Sequence, residues 1–119
     1  MNPEFWEYLQ ELVDSSLIVI DRPKGSEHPR FASKSYPVDY GYLENTTSMD
    51  KGGVDVWVGS QKSHQVIGVL CTVDLMKRDT ELKILIDCSE KELQAIEKFS
   101  QHEQMRVIAI KKNNAETRK

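Results

Sequence analysis

The apolar residues of this chain come in short runs, and one of them constrains the fold most. Val54, Val56 and Val58 alternate with Asp55 and Trp57, the period of two expected of a half-buried strand. Leu17-Ile18-Val19-Ile20 is a fully apolar, β-branched run of similar length. Tyr36 to Leu43 reads as an extended segment and Gln65 to Val73 as a longer strand with a bend or bulge at Gly68. Leu82 to Ile86 and Met105 to Ile110 read as strands too. Arg22 to Ser35 is broken by Pro23, Gly25 and Pro29 and reads as a loop, as does Asn45 to Gly53.

Two helices flank these runs. Residues 3–14 are amphipathic, with Asn2 as cap and Pro3 in the first helical position. Phe5, Leu9, Leu12 and Val13 form the apolar stripe, and Phe5 with Trp6 would support a contact between copies in a homo-oligomer. Ser89 and Glu92 make a capping box that opens a helix running to about His102. About five short strands, mostly antiparallel, with a helix before the last, suggest a small closed or nearly closed barrel. An open α+β sheet is the alternative.

The 119 residues fit one domain, 1–111, followed by a flexible polar tail, 112–119. A net charge of −3 without a basic block before the tail gives nucleic-acid binding little support. No apolar run is long enough to span a membrane and no secretory signal is evident. Cys71 and Cys88 form no CxxC pair and read as reduced thiols, so the expected location is cytoplasmic.

The candidate chemistry lies in carboxylates at strand ends. Asp50, Asp55, Asp74 and Asp79 occupy strand termini or the loops between strands, and Asp55 interrupts an apolar run. Asp79, Glu81 and Lys83 share strand parity. Carboxylates with one lysine suit a Mg²⁺ ion facing phosphate; solvated surface acids are the other reading. Arg22, Lys24 and Arg30 crowd one loop with His28, which can clamp an anion or form a solvated turn. Tyr36, Tyr40 and Tyr42 follow, with hydroxyls able to donate to phosphate. The scattered histidines His28, His64 and His102 form no zinc-hydrolase pair, and no P-loop or GxSxG occurs.

The segment Ser35-Tyr-Pro-Val-Asp-Tyr-Gly-Tyr-Leu43 resembles the Tyr-Pro-x-x-Tyr-Gly-Tyr/Phe segment of the soluble, Mg²⁺-dependent (family I) inorganic pyrophosphatases. Asp50-Lys-Gly-Gly-Val-Asp55-Val falls where that family has Asp-x-Asp-Pro-x-Asp-Val. Ile67 to Asp74 resembles the strand that ends in the next metal-binding aspartate, and Ile18 to Asp21 the strand that ends in an acidic site residue. The likeness runs over residues 17–86 and marks a short, divergent member.

The resemblance implies a mainly β fold with flanking helices, a small five-stranded OB-like barrel. It implies Mg²⁺, with Mn²⁺ as a substitute, held by Asp50, Asp55 and Asp79, with Asp74 and Asp21 as further metal ligands. Tyr40 takes the place of the tyrosine near the nucleophilic water, and Tyr36 of its companion. Arg30, Lys24 and Lys83 take phosphate-binding places, Lys83 competing with Glu81 for the family lysine. The sequence departs from the signature at Gly52, where the family has an aspartate, and at Gly53, where it has proline. Asp39 or Asp21 could stand in as the base, and Asp39, next to Tyr40, is the preferred candidate. The expected activity is Mg²⁺-dependent hydrolysis of a small phosphate-containing substrate, pyrophosphate first. The alternatives are a metal- and phosphate-binding module without turnover and a hydrolase of another phosphorylated small molecule.

Overall fold

The first helix begins where its cap dictates. In the computed structural model, which describes residues 2–48 and 52–112, α1 spans Pro3–Asp14 and the Asn2 side chain accepts a hydrogen bond from the Glu4 amide at 2.8 Å. Six strands follow: β1 (Ile18–Arg22), β2 (Asp39–Leu43), β3 (Val54–Val58), β4 (Val66–Asp74), β5 (Asp79–Ile86) and β6 (Met105–Lys111), with α2 (Glu90–Ser100) before the last. Both halves of the Ser89–Glu92 capping box are formed.

The strands make one sheet in the order β1-β2-β3-β5-β4-β6. Among the described residues only β3 and β5 run parallel. The sheet has six strands rather than the expected five, and among the described residues β1 and β6 remain its two ends. The extended segment before β2 joins the sheet only from Asp39; ahead of Pro37, which has no amide to donate, Ser35 and Tyr36 pair instead with Gly25, Ser26 and Glu27 of the preceding loop. In turn, β5 starts three residues earlier than its apolar run, since Asp79 pairs with Asp74 across the β4–β5 hairpin. The register shifts between Val66 and Gly68 as expected of a bulge, and a side chain at Gly68 would strike the Ile110 carbonyl.

Both faces of the sheet are covered. Val56, Val69, Ile84 and Ile86 pack with Trp6 and Val13 of α1. Trp57, Leu70 and Leu85 face the other way, against Leu93 and Ile96 of α2 and Tyr36 and Val38 of the loop before β2. This explains why Ile84-Leu85-Ile86 is continuously apolar: a central strand covered on both sides buries every residue. Trp6 is 1% exposed. It therefore belongs to the core and not to a contact between copies, because its position on α1 turns it toward the sheet.

Two polar anchors fix the packing. The Gln10 side-chain amide donates to the His64 carbonyl and accepts from the Val66 amide, both at 2.9 Å, tying α1 to the start of β4. The buried Asp87 accepts from Ser63 Oγ at 2.9 Å and from the amides of His64 and Gln65 at 2.9 and 3.0 Å. Main-chain continuation past β6 is visible in Lys112, whose amide donates to the Ile67 carbonyl at 2.9 Å. The rest of the expected tail, 113–119, lies outside the described residues. No helix among the described residues is long and apolar enough to cross a membrane.

Burial alone would raise the Asp87 carboxyl, but the hydrogen bonds from Gln65, His64 and Ser63 outweigh it and hold the group below its ordinary value. A depressed folded-state pKa stabilises the fold above the unfolded value of about 3.9, and that contribution is lost as pH falls through the folded value. Asp87→Asn is expected to cost about 1–3 kcal/mol near neutrality and to shrink the loss of stability on acidification. Urea denaturation as a function of pH measures both, and an acid limb identical to that of the parent protein would contradict this role.

Candidate functional site

Strand alternation builds the centre of the site. Tyr40 on β2 pairs with Trp57 on β3, and Tyr42 pairs with Asp55. Parallel pairing then sets Val56 beside Ile84 of β5. Asp55, Tyr40, Glu81 and Lys83 consequently share the face covered by α2. The Lys83 ammonium donates to Asp55 Oδ2 at 2.8 Å, to the Tyr40 hydroxyl at 2.9 Å and to Glu81 Oε2 at 3.1 Å. Glu81 and Lys83 thus occupy the same side, and it is Lys83 that touches Tyr40 and Asp55.

The electrostatics lock the protonation states. Burial works against the Lys83 charge, but Tyr40 and Asp55 outweigh it and hold the ammonium well above the ordinary lysine range. The Tyr40 phenol is pushed up by burial, with Asp55 adding to the effect and Lys83 opposing it. At neutral pH the lysine is therefore a fixed cation and the tyrosine a neutral phenol. The Tyr40 oxygen accepts from Lys83, and its own proton is held toward the Asp55 carboxylate, a hydrogen bond that adds to the raised pKa.

The other candidate residues are spread around this centre. Asp39 accepts from the Lys24 amide at 2.9 Å, fastening the loop before β2. By alternation it lies on the opposite side of β2 from Tyr40. Lys24 and Arg30 are exposed on that loop, and the Arg30 amide donates to His28 Nδ1 at 3.0 Å. Tyr36 is 6% exposed and packs its ring 5.6 Å from that of Tyr40. Asp74 accepts from the Met76 and Lys77 amides at 3.0 Å each, closing the β4–β5 turn. Those bonds hold its carboxyl below the ordinary range. Asp79 is exposed opposite Asp74. Asp21 is exposed where the β1–β2 register slips. Asp50 lies outside the described residues.

Among the described residues no group of three or more His, Cys, Asp or Glu side chains converges on a metal-holding geometry. The donors that do meet, Asp55 and Glu81, are of the right type. Their two negative charges face the single positive charge of Lys83, and hard carboxylate oxygens are what Mg²⁺ selects.

Sequence reading missed the aromatic wall beside this cluster. Tyr40, Trp57 and Lys83 border a cavity of about 160 Å³ together with His28, Phe31, Lys34, Phe99 and His102. Lys34 reaches across to donate to the Phe99 carbonyl at 3.0 Å. These residues are supplied by a loop, three strands and the end of a helix far apart in the chain, so no periodic signal joins them. The closeness of His28, Phe31 and Tyr36 in the sequence is its one local trace.

A model of the inorganic pyrophosphatase family matches residues 14–113, which include every strand and the whole cluster. The chain belongs to the inorganic pyrophosphatase family. It is 28% identical over 92 residues to an inorganic pyrophosphatase of Mycoplasma pneumoniae, a match that takes in 69% of this chain but 50% of the relative. The chain thus spans about half the length of that curated relative. Its fold is similar to the inorganic pyrophosphatase of Coxiella burnetii, at a TM-score of 0.62 and 16% identity, covering 83% of this chain and 86% of the other. It is also similar to the Helicobacter pylori enzyme, at a TM-score of 0.55 and 19% identity, covering 87% and 88%. The mainly β, barrel-like fold expected of this pyrophosphatase family is the fold observed.

Gly41, between Tyr40 and Tyr42, has a steric cause: a Cβ there would collide with the Val19 carbonyl of β1. The hub of the cluster is Lys83, whose side chain is 16% exposed. Lys83→Met, which keeps the stem and removes the charge, should leave Asp55 and Glu81 facing each other and cost about 2–4 kcal/mol. Chemical denaturation at neutral pH reads this directly; a change within about 0.5 kcal/mol, the usual range for surface substitutions, would show that the three contacts do not hold the site together.

Proposed function

We propose that this chain hydrolyses a phosphoanhydride, with inorganic pyrophosphate as the first substrate, in a reaction that depends on Mg²⁺ and accepts Mn²⁺. The observation that carries this reading is the Lys83 ammonium held between Asp55 and Tyr40 on the floor of a cavity. In the hydrolysis, water attacks one phosphorus, the bridging P–O bond breaks, and two phosphates leave. Lys83 faces the phosphate oxygens as a permanent positive charge held in place by its three contacts; with its three N–H groups committed to Asp55, Tyr40 and Glu81, it acts through its field unless one contact is exchanged for the substrate. Tyr40 turns its phenolic proton from Asp55 to an oxygen of the substrate or to the attacking water. The burial of both groups strengthens their interactions with an anion.

Asp55, with Glu81 beside it, would hold the divalent cation together with Asp50, five positions earlier in the sequence. Such an ion supplies Lewis acidity and lowers the pKa of a bound water. The single Lys83 charge does not balance both carboxylates, which favours this assignment. Gly52, standing where the family has an acid, supports a second reading in which the same site binds metal and phosphate without turnover.

Purified protein should release phosphate from pyrophosphate with Mg²⁺ or Mn²⁺ and stop when the ions are chelated. Asp55→Asn should lower the rate by roughly 10²-fold or more, the scale of losing one electrostatic element of a hydrolytic site. Phosphate release no greater than a protein-free blank would end the hydrolase reading. Retained Mg²⁺-dependent binding of pyrophosphate would then favour the binding module.

A further inference from the structure

The cavity above Lys83 does not end at the cluster. A second cavity of about 550 Å³, lined by Arg30, Asp74, Lys77 and Glu103 among others, meets it at His28, Phe31, His102 and Met105. Together they form a cleft with Lys83 at its floor, an aromatic middle and a mouth of mixed charge. The larger part has the volume of a small-molecule site.

The aromatic middle is not fully used by the core. Phe31 is 42% exposed and His102 is exposed, yet their rings lie 6.1 Å apart, with His28 5.0 Å from Phe31. Deeper in, the Trp57 ring nitrogen is buried with no hydrogen-bond partner. Burial lowers the His28 pKa, and the positive charges of Lys34, Arg22 and Arg30 lower it further. At neutral pH His28 is thus an uncharged ring in a positive field, on a chain whose net charge is −3.

Pyrophosphate presents only charged oxygens and has no surface with which to fill an aromatic wall. A ligand with a diphosphate at one end and a flat ring at the other matches both parts. We infer that the cleft binds a nucleoside diphosphate, its diphosphate directed to Lys83 and its base stacked at Phe31 and His102. This rests on the reading of the Lys83 cluster as a diphosphate site and adds the base-binding wall to it.

The test compares ADP with methyl diphosphate, which carries the diphosphate without the ring, by titration calorimetry in one Mg²⁺ buffer. ADP should bind about tenfold more tightly or better, within the range that stacking a base on an aromatic side chain supplies. The double variant Phe31→Ala/His102→Ala should reduce ADP affinity to that of methyl diphosphate. Both positions are exposed, and circular dichroism with thermal melting verifies that the variant is folded. Equal affinities in the parent protein, or a ring-dependent gain that survives the double substitution, would overturn the inference. Phosphate release from pyrophosphate, followed in parallel, separates the two readings. Turnover without a ring-dependent gain refutes the base-binding wall alone, whereas the gain without turnover refutes hydrolysis alone.

Discussion

The parallel pairing of β3 with β5 is the constraint on which the other features depend. It places Val56 beside Ile84 and Trp57 beside Leu85, so two adjacent central strands each show an apolar residue to both faces. One face then needs α1 and the other needs α2 with the loop before β2, which is how two separate apolar clusters arise in a small chain. The same register carries Asp55 toward Lys83. A slip of one residue would turn that acid into the α1 core and remove the lysine's partner. Fold and site are therefore specified by one set of contacts.

Placing the charged cluster at the margin of the α2-side core has an electrostatic consequence. An ammonium that is 16% exposed is costly to desolvate, and it persists there because three oxygens surround it. The same three contacts fix the position of the positive charge beside the cavity. Tyr40, wedged against Trp57 with ring centroids 4.6 Å apart, keeps the hydroxyl end of that arrangement in place. Rigid aromatic packing below and a fixed charge above give the floor of the cavity its definition.

Much of this was legible in the sequence because it depends on local rules. Asn2 and Pro3 announce α1, Ser89 and Glu92 announce α2, and Gly68 marks the bulge. Parity alone set Glu81 and Lys83 on one side of their strand. The illegible part is non-local. Trp6 follows Phe5 directly, and only the position of the sheet shows that it is buried. Asp74 looks the same in sequence whether it faces an ion or closes a turn, and its hydrogen bonds to Met76 and Lys77 appear only when the hairpin does. The aromatic wall joins Phe31, Trp57 and Phe99, whose meeting requires the β2 loop to fold over the sheet onto the end of α2.

The arrangement of Glu81 and Lys83 bears on how such a site changes over evolutionary time. Positions two apart on a strand lie about 7 Å from one another on the same face. A charge can therefore migrate along a strand by steps of two while the buried pattern beneath it stays intact. A step of one would carry the lysine to the position of Leu82, on the opposite face. A β-sheet floor thus gives divergent sequences a lattice of permitted positions, along which a cationic group can be relocated without rebuilding the domain.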